Sequence, residues 1–267
     1  MDISIVTYGS GYNYDIYERF IGSITNTGFK GDIYIMIQEG DTEILLKIKE
    51  KYKNVITYLD NLQQHSHINC HRFFVIQEFL NKHDIKNKYI FLCDFRDVLF
   101  QKNIELYDYS DDYDLYVFLE GITIHSEKDY NTPWLLELEN IFNEKFYEKI
   151  CDNKIICCGT TLGKVNSIKE YINEMCRILL TYQIKYNLDQ GIHNYLIYVN
   201  KFSFKIKLLS NTENLVNTVG CDVHKLNDDN FVVNKDNHVS FVVHQYDRFC
   251  SEYRQRLTDK FGFNFNI

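Results

Sequence analysis

KYIFLCDFRDVLFQ, residues 88–101, is the stretch on which the reading of this chain turns. Its core, YIFLC, is apolar at successive positions without polar alternation, the signature of a strand buried on both faces of a parallel sheet. The apolar run stops at Asp94, and Arg96 and Asp97 follow. In open α/β sheets, ligands bind beyond the carboxyl ends of the strands. Two carboxylates delivered there could hold Mg2+ or Mn2+, hard cations that favour oxygen ligands and keep positions open for phosphate. The same spacing also fits a strand-end turn whose carboxylates pair with Arg96 or cap the next element.

Upstream of this strand the chain alternates regularly. DISIVTY (2–8) predicts a strand and Tyr14 to Thr27 an amphipathic helix. GDIYIMIQ (31–38) and NVITYLD (54–60) predict further strands, each followed by a helix, TEILLKIKEKY (42–52) and Ile68 to Lys82. Strands alternating with helices of this length indicate βαβ units and a mostly parallel, Rossmann-like sheet flanked by helices. Downstream the pattern loosens. YDLYVFLEG (113–121) predicts a strand, and a helix follows Pro133 and Trp134. IICCGTTLG (155–163) predicts a short strand and turn, with a helix from Ser167 to Tyr182 after it. LDQGIHNYLIY opens another helix, KFSFKIKLL (201–209) a strand, and HVSFVVHQY (238–246) a strand whose apolar run ends on His244. No repeat or linker interrupts the 267 residues, so one domain is expected, with a nucleotide-binding half (1–100) and an acceptor half (101–267).

Composition narrows the function. Lys and Arg number 29 against 37 Asp and Glu, a formal charge of -8. A general nucleic-acid binder leans basic, because phosphate contacts supply most of its affinity. An acidic protein can still take a small anion when a metal bridges it to carboxylates. No run reaches the roughly 18–20 apolar residues of a membrane span, and the N-terminus lacks the basic-then-apolar order of a signal peptide. Eight cysteines, without a CxxC pair and several within apolar runs, suit buried free thiols in a reducing compartment. A cytoplasmic location is therefore expected.

An apolar strand entering an acidic motif and continuing as D-V-L-F resembles the DxD region of metal-dependent nucleotide-sugar glycosyltransferases of the GT-A fold. Here the motif is Asp-Phe-Arg-Asp, with two residues between the acids, and Asp97 before Val98 matches the second acid. TYGSGY (7–12) is similar to the opening strand and loop that receive base and ribose, which implies Thr7, Tyr8 and Gly9 at the donor. Arg72 matches an Arg or Lys directed toward the donor, and Arg96 falls within the acidic segment. CCGTTLG (157–163) is like the small-residue strand beside the transferred sugar. LDQGIHNYL (188–196) resembles the D-Q-x-x-x-N segment of glycogenin-like retaining enzymes, and VVHQYDR (242–248) a late His that completes the metal site.

The resemblance implies a transferase that moves a sugar from a nucleotide diphosphate to a hydroxyl acceptor. Asp94, Asp97 and His244 would hold Mn2+ or Mg2+, and Arg72 and Arg248 would support the phosphates. Asp189 and Gln190 would stand near the anomeric carbon, Glu120 or Asp189 would serve as base in an inverting enzyme, and Trp134 would form an acceptor platform. Each residue also has a plain structural reading. Asp189 is a natural helix N-cap, the glycines fit turns, and His244 fits a buried strand end. A non-catalytic sugar-nucleotide or glycan-binding module on the same fold is one alternative. A metal-dependent nucleotidyltransferase is another, although TYGSGYNYD lacks the basic residue usual near the phosphates. His65, His67, Cys70 and His71 lack the second ligand pair of a zinc site. GSG (9–11) lacks the full dinucleotide fingerprint.

Overall fold

The computed structural model describes residues 2–199, 202–222 and 225–265. Strand β1 (Ile3–Tyr8), helix α1 (Tyr14–Asn26), β2 (Ile33–Ile37), α2 (Thr42–Lys51), β3 (Val55–Leu59), α3 (Ile68–Lys82) and β4 (Tyr89–Cys93) succeed one another where the periodicity predicts them. Neighbours in the order β3-β2-β1-β4 pair in parallel. Alternation of side chains sorts each central strand between two cores. Ile3, Ile5, Ile33, Ile35 and Phe91 pack with Phe20, Ile21 and Ile24 of α1. Val6, Met36, Ile90 and Leu92 pack on the other face with Phe73, Ile76 and Phe79 of α3. Both faces being covered explains why these strands show no polar alternation.

Beyond β4 come β5 (Val98–Phe100), β6 (Leu115–Thr123), α4 (Asn131–Phe142), α5 (Tyr147–Ile150), β7 (Lys154–Lys164), α6 (Val165–Thr181) and α7 (Asp189–Tyr198). The chain continues through β8 (Ile206–Leu209), β9 (Val216–Thr218), β10 (Lys225–Leu226), β11 (Val232–Val233), β12 (Val242–His244) and α8 (Ser251–Phe261). The main sheet is ordered β3-β2-β1-β4-β7-β6-β8. β7 runs antiparallel to both β4 and β6, and β8 is parallel to β6. The outcome is a mostly parallel sheet flanked by helices.

Three local expectations change. The short strand and turn at 155–163 are one strand of 11 residues, because β4 and β6 pair with its two edges and satisfy its backbone. Gly159 and Gly163 therefore sit inside a strand and not in turns. The strand at 201–209 is confined to 206–209, and Lys201 lies outside the described residues. The strand at 238–246 shrinks to 242–244, ended by Gln245 in the left-handed region at φ 67°. Pro133 falls in the first turn of α4, where its missing N–H breaks no helical hydrogen bond.

A second small sheet, ordered β5-β12-β9, joins the C-terminal part of the chain to the acidic segment. β12 is antiparallel to β5 with His244 opposite Val98, so the late histidine arrives beside the two aspartates. The Gln245 N–H donates to the Asp97 carbonyl at 2.8 Å and fixes the approach. Among the described residues no helix is long and apolar enough to cross a membrane.

Candidate active site

Asp94 is the first residue after β4, and its backbone N–H donates to the Gly159 carbonyl of β7 at 2.8 Å. Asp97 precedes β5 directly, and His244 ends β12. These three elements bring two carboxylates and one imidazole together, with one ligand atom from each lying within 4.8 Å of the others. His244 Nε2 stands 3.4 Å from Asp94 Oδ2 and 3.7 Å from Asp97 Oδ2. The ring is 1% exposed, and Nε2 has no hydrogen-bond partner. A buried ring nitrogen without a partner is costly unless something accepts its lone pair. Gly159 lies under the cluster, where a Cβ would come 2.6 Å from Asp94 Oδ2 and 2.7 Å from His244 Nε2. An O, O, N donor set that includes a buried ring nitrogen making no hydrogen bond fits a divalent cation such as Mn2+ or Mg2+.

The electrostatics agree with a cation site. Burial opposes ionisation of Asp94, yet Arg72 and His244 hold its carboxyl well below the usual range. Burial pushes Asp97 up, against the pull of His244, and Asp94 adds to the rise. Burial disfavours charge on His244 too, but the two aspartates facing Nε2 help push its pKa well up. Without a cation the cluster thus shares protons to limit the cost of two adjacent carboxylates.

Arg72 reaches the site from α3. It makes an ion pair with Asp94, and its Nη2 donates to Asp189 Oδ2 at 2.9 Å. Asp189 begins α7, where a carboxylate is favoured by the helix dipole. Burial raises its pKa while Arg72 lowers it. Gln190 follows and is fully engaged. Its Oε1 accepts from the Cys158 N–H at 3.2 Å, and its Nε2 donates to Asn131 Oδ1 at 2.9 Å and to Glu120 Oε1 at 3.3 Å. Asn194, the last residue of the D-Q-x-x-x-N segment, clamps α7 to β7. It accepts from the Ile156 N–H at 2.9 Å and donates to the Ile156 carbonyl at 2.8 Å. Glu120 is buried, which raises its pKa.

Two cavities meet at this cluster. One of about 370 Å³ is bordered by Tyr8, Ser10, Tyr12, Asp97 and Arg96. The other, about 530 Å³, is bordered by Glu120, Trp134, Cys158, Asp189 and Gln190. Asp94, His244, Arg72 and Arg248 border both. Arg248 is exposed and pairs with no carboxylate among the described residues, whereas Arg96 is tied to Asp247 at 2.6 Å. Trp134 stands at the larger cavity with the Tyr130 ring 5.6 Å away.

Most of the residues expected from sequence therefore converge. Thr7 and Gly9 do not reach either cavity. Thr7 is fully buried within β1, and Gly9 is covered by the Phe95 ring, which a Cβ there would strike at 2.6 Å. Tyr8, the third residue expected there, does line the smaller cavity, and Ser10 and Tyr12 join it. The histidine-rich segment has structural duties. His71 pairs with Asp60 at 3.0 Å, His67 accepts from the Asn69 N–H, and Cys70 donates to the Tyr186 carbonyl. Sequence reasoning missed the closeness of Gly159 to the acidic cluster, although a glycine inside an apolar strand is itself a sign of close approach. It also missed Cys157, whose Sγ lies 3.3 Å from His244 Nδ1, and nothing in the sequence marks that pair.

No known protein-family profile matches the sequence, and no curated protein does. Solved structures do. The galactosyltransferase LgtC, in complex with donor and acceptor sugar analogues, superposes with a TM-score of 0.58 at 13% identity, covering 97% of this chain and 95% of LgtC. An active-site mutant of LgtC, with glutamate for a glutamine, gives 0.55 at 12%, covering 96% and 95%. The glycosyltransferase GlyE of Streptococcus pneumoniae gives 0.49 at 12% over 80% of this chain, which spans only 46% of GlyE's length. The LgtC likeness establishes the fold, the GT-A architecture.

Proposed function

We propose that this chain is a divalent-metal-dependent glycosyltransferase that moves a sugar from a nucleotide diphosphate to a hydroxyl acceptor. The observation that carries the reading is the Asp94, Asp97 and His244 cluster at the divide between two cavities. That is where a diphosphate must lie if nucleoside and sugar occupy opposite sides. Asp94, Asp97 and His244 hold the cation, and Mn2+ or Mg2+ there supplies Lewis acidity toward the diphosphate leaving group. Arg248, in no ion pair among the described residues and bordering both cavities, binds the phosphate oxygens, and Arg96 stands beside the nucleoside cavity.

Asp189 and Gln190 face the transferred sugar from the start of α7. The hydrogen bonds to Cys158, Asn131 and Glu120 hold Gln190 in one rotamer, which preorganises it. That LgtC has a glutamine in its active site agrees with this reading, and the resemblance of the D-Q-x-x-x-N segment to glycogenin-like retaining enzymes favours retention of anomeric configuration. Arg72 holds Asp94 ionised and ties it to Asp189 through a shared guanidinium. Trp134 and Tyr130 offer aromatic faces to an acceptor at the mouth of the larger cavity. The whole chain acts as one unit in this reading, residues 1–100 serving the nucleotide and 101–267 the sugar, the acceptor and, through the C-terminal segment with His244 and Arg248, the metal and phosphates. Eight unpaired thiols agree with a reducing cytoplasm.

The test is a thermal-shift panel of nucleotide diphosphates and nucleotide sugars, each with and without Mn2+, followed by turnover of the stabilising sugar donor. Specific ligands raise apparent stability by mass action. One nucleotide sugar should stabilise the protein with Mn2+ and fail to do so after EDTA. Asp97→Ala should abolish that response and the turnover while remaining folded. Equal binding with and without metal would remove the cation from the mechanism. Binding without turnover would favour a non-catalytic module.

A further inference from the structure

An imidazole that donates a lone pair to a cation through Nε2 carries its proton on Nδ1, and that N–H needs an acceptor. The acceptor fixes both tautomer and ring orientation, and such partners of metal-binding histidines are often carboxylates or backbone carbonyls. In this protein the atom facing His244 Nδ1 is a sulfur, Cys157 Sγ at 3.3 Å. Both side chains are 1% exposed, so water does not compete for the contact. On the other edge of the ring Nε2 has no partner and faces Asp94 and Asp97. Gly159 packs beneath the ring and β12 pairing holds its backbone, leaving the imidazole little room to flip.

Resting on the metal-site reading above, we propose that Cys157 is the positioning residue of His244. Its sulfur accepts the Nδ1–H bond and so aims the Nε2 lone pair at the cation between Asp94 and Asp97. Glu120, itself buried, takes the Gln190 Nε2 donor at 3.3 Å. That bond gives Glu120 a supporting role toward Gln190, in place of the general-base role expected from sequence. The thiol stays a protonated, buried group and undergoes no chemistry itself.

The experiment compares the wild-type protein with Cys157→Val, which keeps an apolar side chain of similar size, and Cys157→Ser, which keeps an acceptor. Mn2+ affinity is read by paramagnetic resonance titration without nucleotide. The His244 Nδ1 proton is read by NMR of the metal-free protein, where a bond to sulfur protects it from solvent exchange. We expect a protected Nδ1 proton in wild type, its loss in Cys157→Val and its retention in Cys157→Ser. Mn2+ affinity should fall about 10–100-fold in Cys157→Val, the usual cost of removing a histidine's supporting partner. It should remain within about threefold of wild type in Cys157→Ser. Undiminished Mn2+ affinity in Cys157→Val, equal loss in both variants, or an unprotected proton in wild type overturns the positioning role alone. Failure of wild type to bind Mn2+ at millimolar concentration overturns the metal reading, and the role of Cys157 falls with it. The wild-type NMR measurement stands even if a variant does not fold.

Discussion

Replacing Gly159 by alanine should destroy the cation site while leaving the protein folded. The added Cβ would lie 2.6 Å from Asp94 Oδ2 and 2.7 Å from His244 Nε2, and closer still to the ring carbon His244 Cε1. Ordinary carbon–oxygen contacts need roughly 3.4 Å, so Asp94 Oδ2 alone must retreat by about 0.8 Å. Neither neighbour yields easily. Asp94 is tied to Arg72, and the His244 ring is enclosed. Overpacking of this kind costs about 1–3 kcal/mol, against roughly 5–15 kcal/mol of total stability, so the fold survives with Tm lowered by about 2–12 °C. A misplacement near 1 Å in a catalytic constellation costs on the order of 100-fold, and Mn2+ affinity should fall by a comparable factor. Mn2+ titration and a thermal melt on the same samples measure both. Gly40→Ala is the control, since a Cβ there meets nothing within 4 Å. Wild-type Mn2+ affinity in a folded Gly159→Ala protein would refute the placement of the cation between Asp94 and His244.

Arg248→Ala should weaken nucleotide diphosphate binding about 10–100-fold, the range expected when a charge-assisted hydrogen bond is lost. Its exposed side chain has no carboxylate partner to strand, so Tm should hold; calorimetric titration that finds wild-type affinity would take Arg248 out of the phosphate site. The second expectation concerns pH. Burial pushes the pKa of His193 down to about 3, below its ordinary 6.5, so the ring stays neutral in the fold and takes up a proton on unfolding. Its contribution to stability is complete above 6.5 and is lost as pH falls toward 3, with a limiting slope near about 1.4 kcal/mol per pH unit. Urea unfolding at pH 7 and pH 5 should show that loss, and His193→Gln should flatten it; an identical pH slope in the variant would mean other groups carry the acid sensitivity.

How much of this was legible in the sequence depends on the range of the interaction. Periodicity and element length locate β1 through β4 and their helices, and β2 and β4, buried on both faces, are apolar at every position. The acids Asp94 and Asp97 declare themselves by ending such a strand, and Asp189, Gln190 and Asn194 by opening a helix. Periodicity carries no information on partner or direction, however. IICCGTTLG reads the same whether it turns back or runs on antiparallel between β4 and β6, and only the second choice puts Gly159 beneath Asp94. The meeting of His244 with acids about 150 residues earlier comes from the register of β12 on β5. The double ion pair of Arg72 and the sulfur of Cys157 behind His244 come from packing of side chains on five separate segments. Local sequence determines what each segment can be, through φ/ψ preference and the need to bury apolar faces. Which segments become neighbours is decided by the whole chain at once, because backbone pairing and core filling have to be satisfied together, and the site is made of those neighbours.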